Sequence, residues 1–259
     1  MRLISNISMM FTEVPVVDRL AAAQAAGFDG VEIQFPDPGD IAQLAAESRR
    51  TAMPIALINV PRGPGDAVGL ASLPGQEQAY RAAVADCARN VEVLGVRKVN
   101  VLAGRPPADA DPADCARVLR QNLIHAADVM QEIGVRVMVE PVNRGDVPGF
   151  FISGLAAGLG VLSDIGHPNL FLQFDLYHMA ITEPDLCAAI TQAGPRIGHV
   201  QFADAPGRHE PGTGDIDFAA ALDALRATGY DGEVSAEYNP KTETPAGLDW
   251  MPRFRKLLQ

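Results

Sequence analysis

The stretch EIGVRVMVEPVNRGDVPGF, Glu132 to Phe150, decides how the rest of the chain is read. A helical segment ends on Gly134, and a run from Val135 to Val139, apolar but for Arg136, reads as a buried strand. That strand ends on a carboxylate, Glu140, with Pro141 directly behind it. The same glycine-then-strand step recurs in AAGFDGVEI, VLGVRKVNV and ATGYDGEVSAE. A glycine just past a helix takes the left-handed conformation that satisfies the last carbonyls, so each step is a helix cap feeding a strand.

Working outward, eight strand segments alternate with Ala- and Leu-rich helical ones: Leu3–Ser8, Gly30–Phe35, Ile55–Val60, Lys98–Leu102, Val135–Glu140, Leu170–Asp175, Ile197–Phe202 and Glu233–Glu237. Eight βα units in one unbroken series, most strands apolar on both faces, predict a closed (β/α)₈ TIM barrel rather than an open doubly wound sheet. No G-x-G-x-x-G follows the first strand, which weakens a dinucleotide-binding reading. At 259 residues the chain suits one barrel domain over residues 1–259. Helices are expected over Val16–Gly27, Gln78–Gly95 and Ala113–Gly134. Long loops are expected over Pro61–Gln76 and Asn143–Gly154, both at the C-terminal strand ends where such barrels work.

Lys and Arg total 21 against 32 Asp and Glu, a formal charge of −11, which repels a nucleic-acid backbone. The three cysteines lie far apart on expected helices with no C-x-x-C pair, and the N-terminal MRLISNISMMF is too short for a membrane span or a signal peptide. A soluble cytoplasmic protein with no nucleic-acid or membrane partner is expected. Association into a homo-oligomer is left open.

The late strands end on Glu140, Asp175, Gln201 and Glu237. Consecutive barrel strands deliver their ends to one rim, and three carboxylates meeting there repel unless a cation holds them. Three carboxylates and an amide suit a hard or borderline divalent ion, Mg²⁺ or Mn²⁺, better than zinc. Taken singly, each is more often a rim salt bridge or a helix cap; four on successive strands point to a site. His178, three residues after Asp175 and expected on the loop that follows it, and Arg208 in the loop after Gln201 are candidate holders of an anionic substrate. Asn59, Glu32, Asp146 and Lys241 are weaker candidates, and His199 reads as a satisfied core or supporting histidine.

The stretches VEPVNRGDVPGF, FDLYHM, IGHVQFADAPGRHEPGTGDIDF and AEYNPKTETPAGLDWM resemble the hydroxypyruvate isomerase family, a branch of the xylose-isomerase-like barrels. The resemblance runs over nearly the whole chain. It implies Glu140 and Glu237 as the catalytic pair, all four strand ends as ligands of a divalent ion, and interconversion of hydroxypyruvate and 2-hydroxy-3-oxopropanoate. The same branch contains isomerases of the four-carbon 2-oxo-tetronates, and Ile58, where family members carry His, bears on substrate choice. Two rival readings are weaker. An endonuclease IV-like enzyme needs more histidines and a basic face; a non-catalytic sugar-acid binding protein is disfavoured by the presence of both glutamates.

Overall fold

The computed structural model describes residues 1–259. Eight parallel strands close into a barrel in chain order: β1 Arg2–Asn6, β2 Val31–Ile33, β3 Ile55–Asn59, β4 Lys98–Val101, β5 Arg136–Val139, β6 Leu170–Asp175, β7 Ile197–Phe202 and β8 Glu233–Ala236. β1 pairs with both β2 and β8, so no edge is left unpaired. The expected strands are all present, each within one or two residues of its anticipated ends. The helices are α1 Arg19–Ala25, α2 Ile41–Thr51, α3 Glu77–Leu94, α4 Pro112–Glu132, α5 Leu155–Ile165, α6 Leu176–Thr182, α7 Leu186–Ala193, α8 Phe218–Ala227 and α9 Met251–Leu257. No helix is long and apolar enough to cross a membrane.

The glycine steps behave as the sequence implies: Gly27, Gly95, Gly134 and Gly229 have φ of 90°, 71°, 69° and 83°. Two local expectations need correction. The first helix starts at Arg19, not Val16, because the preceding residues form turns, with Asp18 N–H bonded to the Pro15 carbonyl at 2.9 Å. His178 is on a helix, α6, rather than on a loop. Asp175 ends β6 and at once caps that helix, its Oδ1 accepting the Tyr177 N–H at 2.8 Å.

Register explains how the late strand ends converge. Asp175 lies beside Gln201 across β6 and β7; Glu140 and Glu237 each stand one residue beyond the last paired residues of β5 and β8. Beneath that rim the barrel holds a hydrogen-bonded polar layer, with Asn6, Glu32, Asn100, Gln173 and His199 all buried. Around it the apolar core joins the strands to the helices, and α9 closes one side by stacking Phe254 on Phe202 at 4.4 Å between centroids.

Candidate active site

Glu140, Asp175, Gln201 and Glu237 are all buried at the C-terminal rim of the barrel, and Glu140 and Glu237 line a cavity of about 150 Å³. Asn59, His178 and Arg208 line it too, under an apolar cover that includes Leu102, Val142, Val147 and Phe150. Two further candidates stand apart from it. Asp146 is on the exposed loop after β5, accepting from the Tyr177 hydroxyl at 3.2 Å. Lys241 is exposed after β8, and its backbone N–H, at 2.9 Å from Glu210 Oε1, is the part held in place.

Each glutamate is aimed by buried amides. Glu140 Oε2 accepts from Asn100 Nδ2 at 2.8 Å and Gln173 Nε2 at 2.9 Å. Glu237 Oε1 accepts from Asn6 Nδ2 at 2.7 Å, Gln201 Nε2 at 2.9 Å and Gln34 Nε2 at 3.0 Å. Asn6 and Gln201 each give their second proton to Glu32, at 2.8 and 2.6 Å, so two amides bridge two carboxylates. A carboxylate only accepts, so the Gln201 nitrogen must face them. Its oxygen then takes a hydrogen bond from Gln173 at 2.7 Å. Below, His199 Nε2 meets Glu32 at 2.6 Å, fulfilling the expectation of a satisfied core histidine.

His178 can be assigned a tautomer by the same logic. The Asp146 backbone N–H donates to Asn143 Oδ1 at 2.9 Å, which turns the Asn143 NH₂ toward His178 Nδ1 at 2.7 Å. Nδ1 therefore accepts, and the ring proton sits on Nε2. That N–H faces Asp175 Oδ2 at 3.6 Å and Glu140 Oε1 at 3.9 Å. Burial, with the Arg208 charge beside it, lowers the His178 pKa to about 3, so the ring is neutral.

Burial also shapes the acids. It pushes Glu140 well above the ordinary carboxylate range, reinforced by the charges of Glu237 and Asp175. It raises Asp175 to about 6 and Glu237 to about 6, against the opposing pull of Arg208. Arg208 pairs with Glu237 and lies 3.6 Å from Asp175 Oδ2 and 4.0 Å from Asp146 Oδ2. Its backbone is left-handed, φ 57°, a costly setting for a non-glycine residue. Asp204 holds the loop in that shape: its carboxylate accepts from the backbone N–H groups of Ala205, Gly212 and Ile216, and its carbonyl from that of Arg208.

Glu140, Asp175 and His178 bring one possible ligand atom each within 4.8 Å, and with the His178 ring proton on Nε2 the two carboxylates are what this group offers a metal ion. Asp175 Oδ2 is fully buried and accepts no hydrogen bond. A buried carboxylate oxygen without a donor, close to a second carboxylate, fits a cation as its partner.

Sequence reading misses Asn143, Asn100, Gln173 and Asp204, since a single Asn, Gln or Asp carries no spacing signal of its own. Asn143 and Asp204 do stand within a few residues of the ends of β5 and β7, on the C-terminal face, and that position is the one signal they carry.

A family model described as a xylose isomerase-like TIM barrel matches residues 20–254, and the chain belongs to that family. Among curated relatives, it is 38% identical over 257 residues to the 2-oxo-tetronate isomerase of Cupriavidus necator, with 98% of each chain covered. It is 37% identical over 257 residues to the hydroxypyruvate isomerase of Escherichia coli, with 98% of this chain and 100% of the relative covered. Among solved structures, a Brucella melitensis protein described as an AP endonuclease of family 2 superposes with a TM-score of 0.94 at 34% identity, covering 98% of both chains.

Proposed function

We propose that this protein is an isomerase of small 2-oxo-3-hydroxy acids, interconverting hydroxypyruvate and 2-hydroxy-3-oxopropanoate. The observation that carries the reading is the pair Glu140 and Glu237, buried, aimed by neutral amides and facing one small cavity. Similarity to two isomerases of such acids supports it.

The reaction moves one proton from C3 to C2 and one from the C3 hydroxyl to the C2 oxygen. Glu237, its pKa raised to about 6, takes the C3 proton and returns it to C2 along the same face of the enediolate. Arg208 limits how far that pKa rises, keeping the base ionised near neutrality. His178 directs its Nε2–H at the oxygen on which charge develops, and being neutral it leaves that oxygen's proton to be relayed through Glu140. The apolar side chains of Val142, Val147 and Phe150 line the cavity and limit the water beside the enediolate.

Glu140 and Asp175 would hold a divalent ion, Mg²⁺ or Mn²⁺ on the hardness of oxygen ligands, with Glu237 joining them only if its Oε2 turned from Arg208. Gln201 would join them through its oxygen only if the amide turned away from Gln173. Bound there, the ion supplies Lewis-acid polarisation of the substrate's carbonyl and hydroxyl oxygens.

A DNA-processing role fits poorly with a −11 chain and a cavity of about 150 Å³. The test is proton exchange followed by NMR: purified protein with hydroxypyruvate in D₂O, with Mg²⁺, with Mn²⁺ and after chelation. Semialdehyde is expected to form, with deuterium entering C3 as far as Glu237 trades its proton with solvent, and conversion is expected to stop on chelation. Conversion of a 2-oxo-tetronate alone moves the substrate to the four-carbon acid; no conversion of either acid refutes the enzyme reading.

A further inference from the structure

An anionic substrate needs a cation, and only two side chains lining the central cavity are fixed cations: Arg208 and Arg62. Arg208 is already committed. It pairs with Glu237 and stands within 4.0 Å of both Asp175 and Asp146, so an incoming carboxylate meets three acids gathered around that guanidinium, with only its buried Nε–H left unpartnered. Losing that pair would leave Glu237 buried without its cation.

Arg62 is placed differently. No carboxylate lies within ion-pairing distance of its guanidinium, while several surface arginines of this chain are paired to a neighbouring acid. It rests near the Phe35 ring, 5.3 Å from the centroid, a contact that orients the planar group without using its N–H donors. It stands where the central cavity meets a larger one of about 560 Å³ that opens past Pro38 and Pro61 toward α3. Phe35, Asn59 and Arg62 line both.

The loop that carries Arg62 is braced. The Gly69 N–H donates to the Arg62 carbonyl at 3.2 Å, Ser72 N–H to the Ala103 carbonyl at 2.8 Å, and Asn122 Nδ2 to the Ala71 carbonyl at 2.9 Å. Gly69 forms an antiparallel bridge with Ala103 at φ 127°, where a Cβ would stand 2.8 Å from Gly104 N. A guanidinium on a loop tied to the barrel this way loses less freedom on binding than one on a free loop.

We propose that Arg62, rather than Arg208, receives the substrate carboxylate, holding the acid at the cavity mouth with its C2 and C3 carbons inward against Glu237 and Glu140. This rests on the isomerase reading above. It also defines the substrate class further: an acid whose carboxylate is at one end of the reacting pair.

The test is steady-state kinetics of Arg62→Ala and Arg62→Lys with hydroxypyruvate and with a 2-oxo-tetronate, using the metal-loaded protein. Arg62→Ala should raise KM at least about 10-fold, the scale of one charge-assisted hydrogen bond, with kcat within about twofold. Arg62→Lys should recover part of that loss, and the wild-type KM should rise with salt. An unchanged melting temperature is expected, since the side chain is exposed. An active wild type whose Arg62→Ala KM stays within about twofold overturns the inference and leaves the isomerase reading standing; so does a fall in kcat at constant KM. A wild type inert on both acids refutes the isomerase reading, and this inference with it.

Discussion

Glu140→Gln should lower turnover and raise stability together, because the property that makes this carboxylate reactive is one the fold opposes. A carboxylate oxygen of Glu140 and one of Asp175 belong to a group whose ligand atoms lie within 4.8 Å of one another. Two unit charges at that separation repel by about 3.5 kcal/mol at an effective dielectric of about 20. Glutamine keeps its oxygen on Asn100 and Gln173 and turns its NH₂ toward Asp175 Oδ2, the acceptor that lacks a donor. After subtracting the lost attraction to Arg208, the net gain should be about 2 kcal/mol where Glu140 is ionised in the folded protein.

The pH dependence gives the reasoning its sharpest test. Glu140 titrates well above its ordinary value of 4.5 in the folded protein. Below pH 4.5 it is protonated in both states and costs nothing. As pH rises through the interval up to the folded value, the unfolded chain releases the proton first, so wild-type stability falls. The advantage of Glu140→Gln should therefore be small at pH 4.5 and full above the folded value. Urea unfolding in the presence of a chelator measures it, and the NMR exchange assay should show turnover down by at least about 10². A variant less stable than wild type at pH 7, a difference independent of pH, or turnover above about a tenth of wild type would refute the argument.

The same geometry makes three other outcomes measurable. Asn143→Ala frees His178 Nδ1, so ¹⁵N NMR of the ring should show loss of the single Nε2–H tautomer and kcat/KM should fall about 10-fold; an unchanged ring spectrum would refute the assignment. Arg208→Met leaves Glu237 buried beside Asp175 without its cation, and should destabilise the metal-free protein by about 3 kcal/mol. Mn²⁺ should then raise the melting temperature of this variant more than that of wild type, and equal shifts would count against the carboxylates as its holders. Gly69→Ala puts a Cβ 2.8 Å from Gly104 N at a positive φ, so a loss of about 1–3 kcal/mol is expected by urea unfolding, with KM rising as the Arg62 loop shifts; wild-type stability would refute the bracing.

Particular residues show how far the sequence can be read. Glu140, Asp175 and Glu237 are legible because each ends an apolar strand, and an ionisable group there breaks a local pattern. Glu32 breaks the same pattern in β2 yet reads as a weak candidate, since its role depends on Asn6, Gln201 and His199, from strands distant in the chain. Arg208 is legible as a cation near the site, but its commitment to Glu237 is not, because sequence gives no direction to a side chain on a Gly- and Pro-rich loop. Arg62 carries no signal in the sequence for the same reason.

By itself the sequence determined the barrel, its strand order and which carboxylates reach its rim. These follow from short-range rules, the apolar runs of strands buried on both faces, the caps of helices and the ordering of βα units, all written within a few residues of one another. Tertiary structure alone decided which way each polar group points. The Gln201 amide, the His178 proton and the Arg208 guanidinium take their orientations from partners as many as 169 positions away, and hydrogen-bond direction is settled only when every donor and acceptor in the buried layer has been counted against the others.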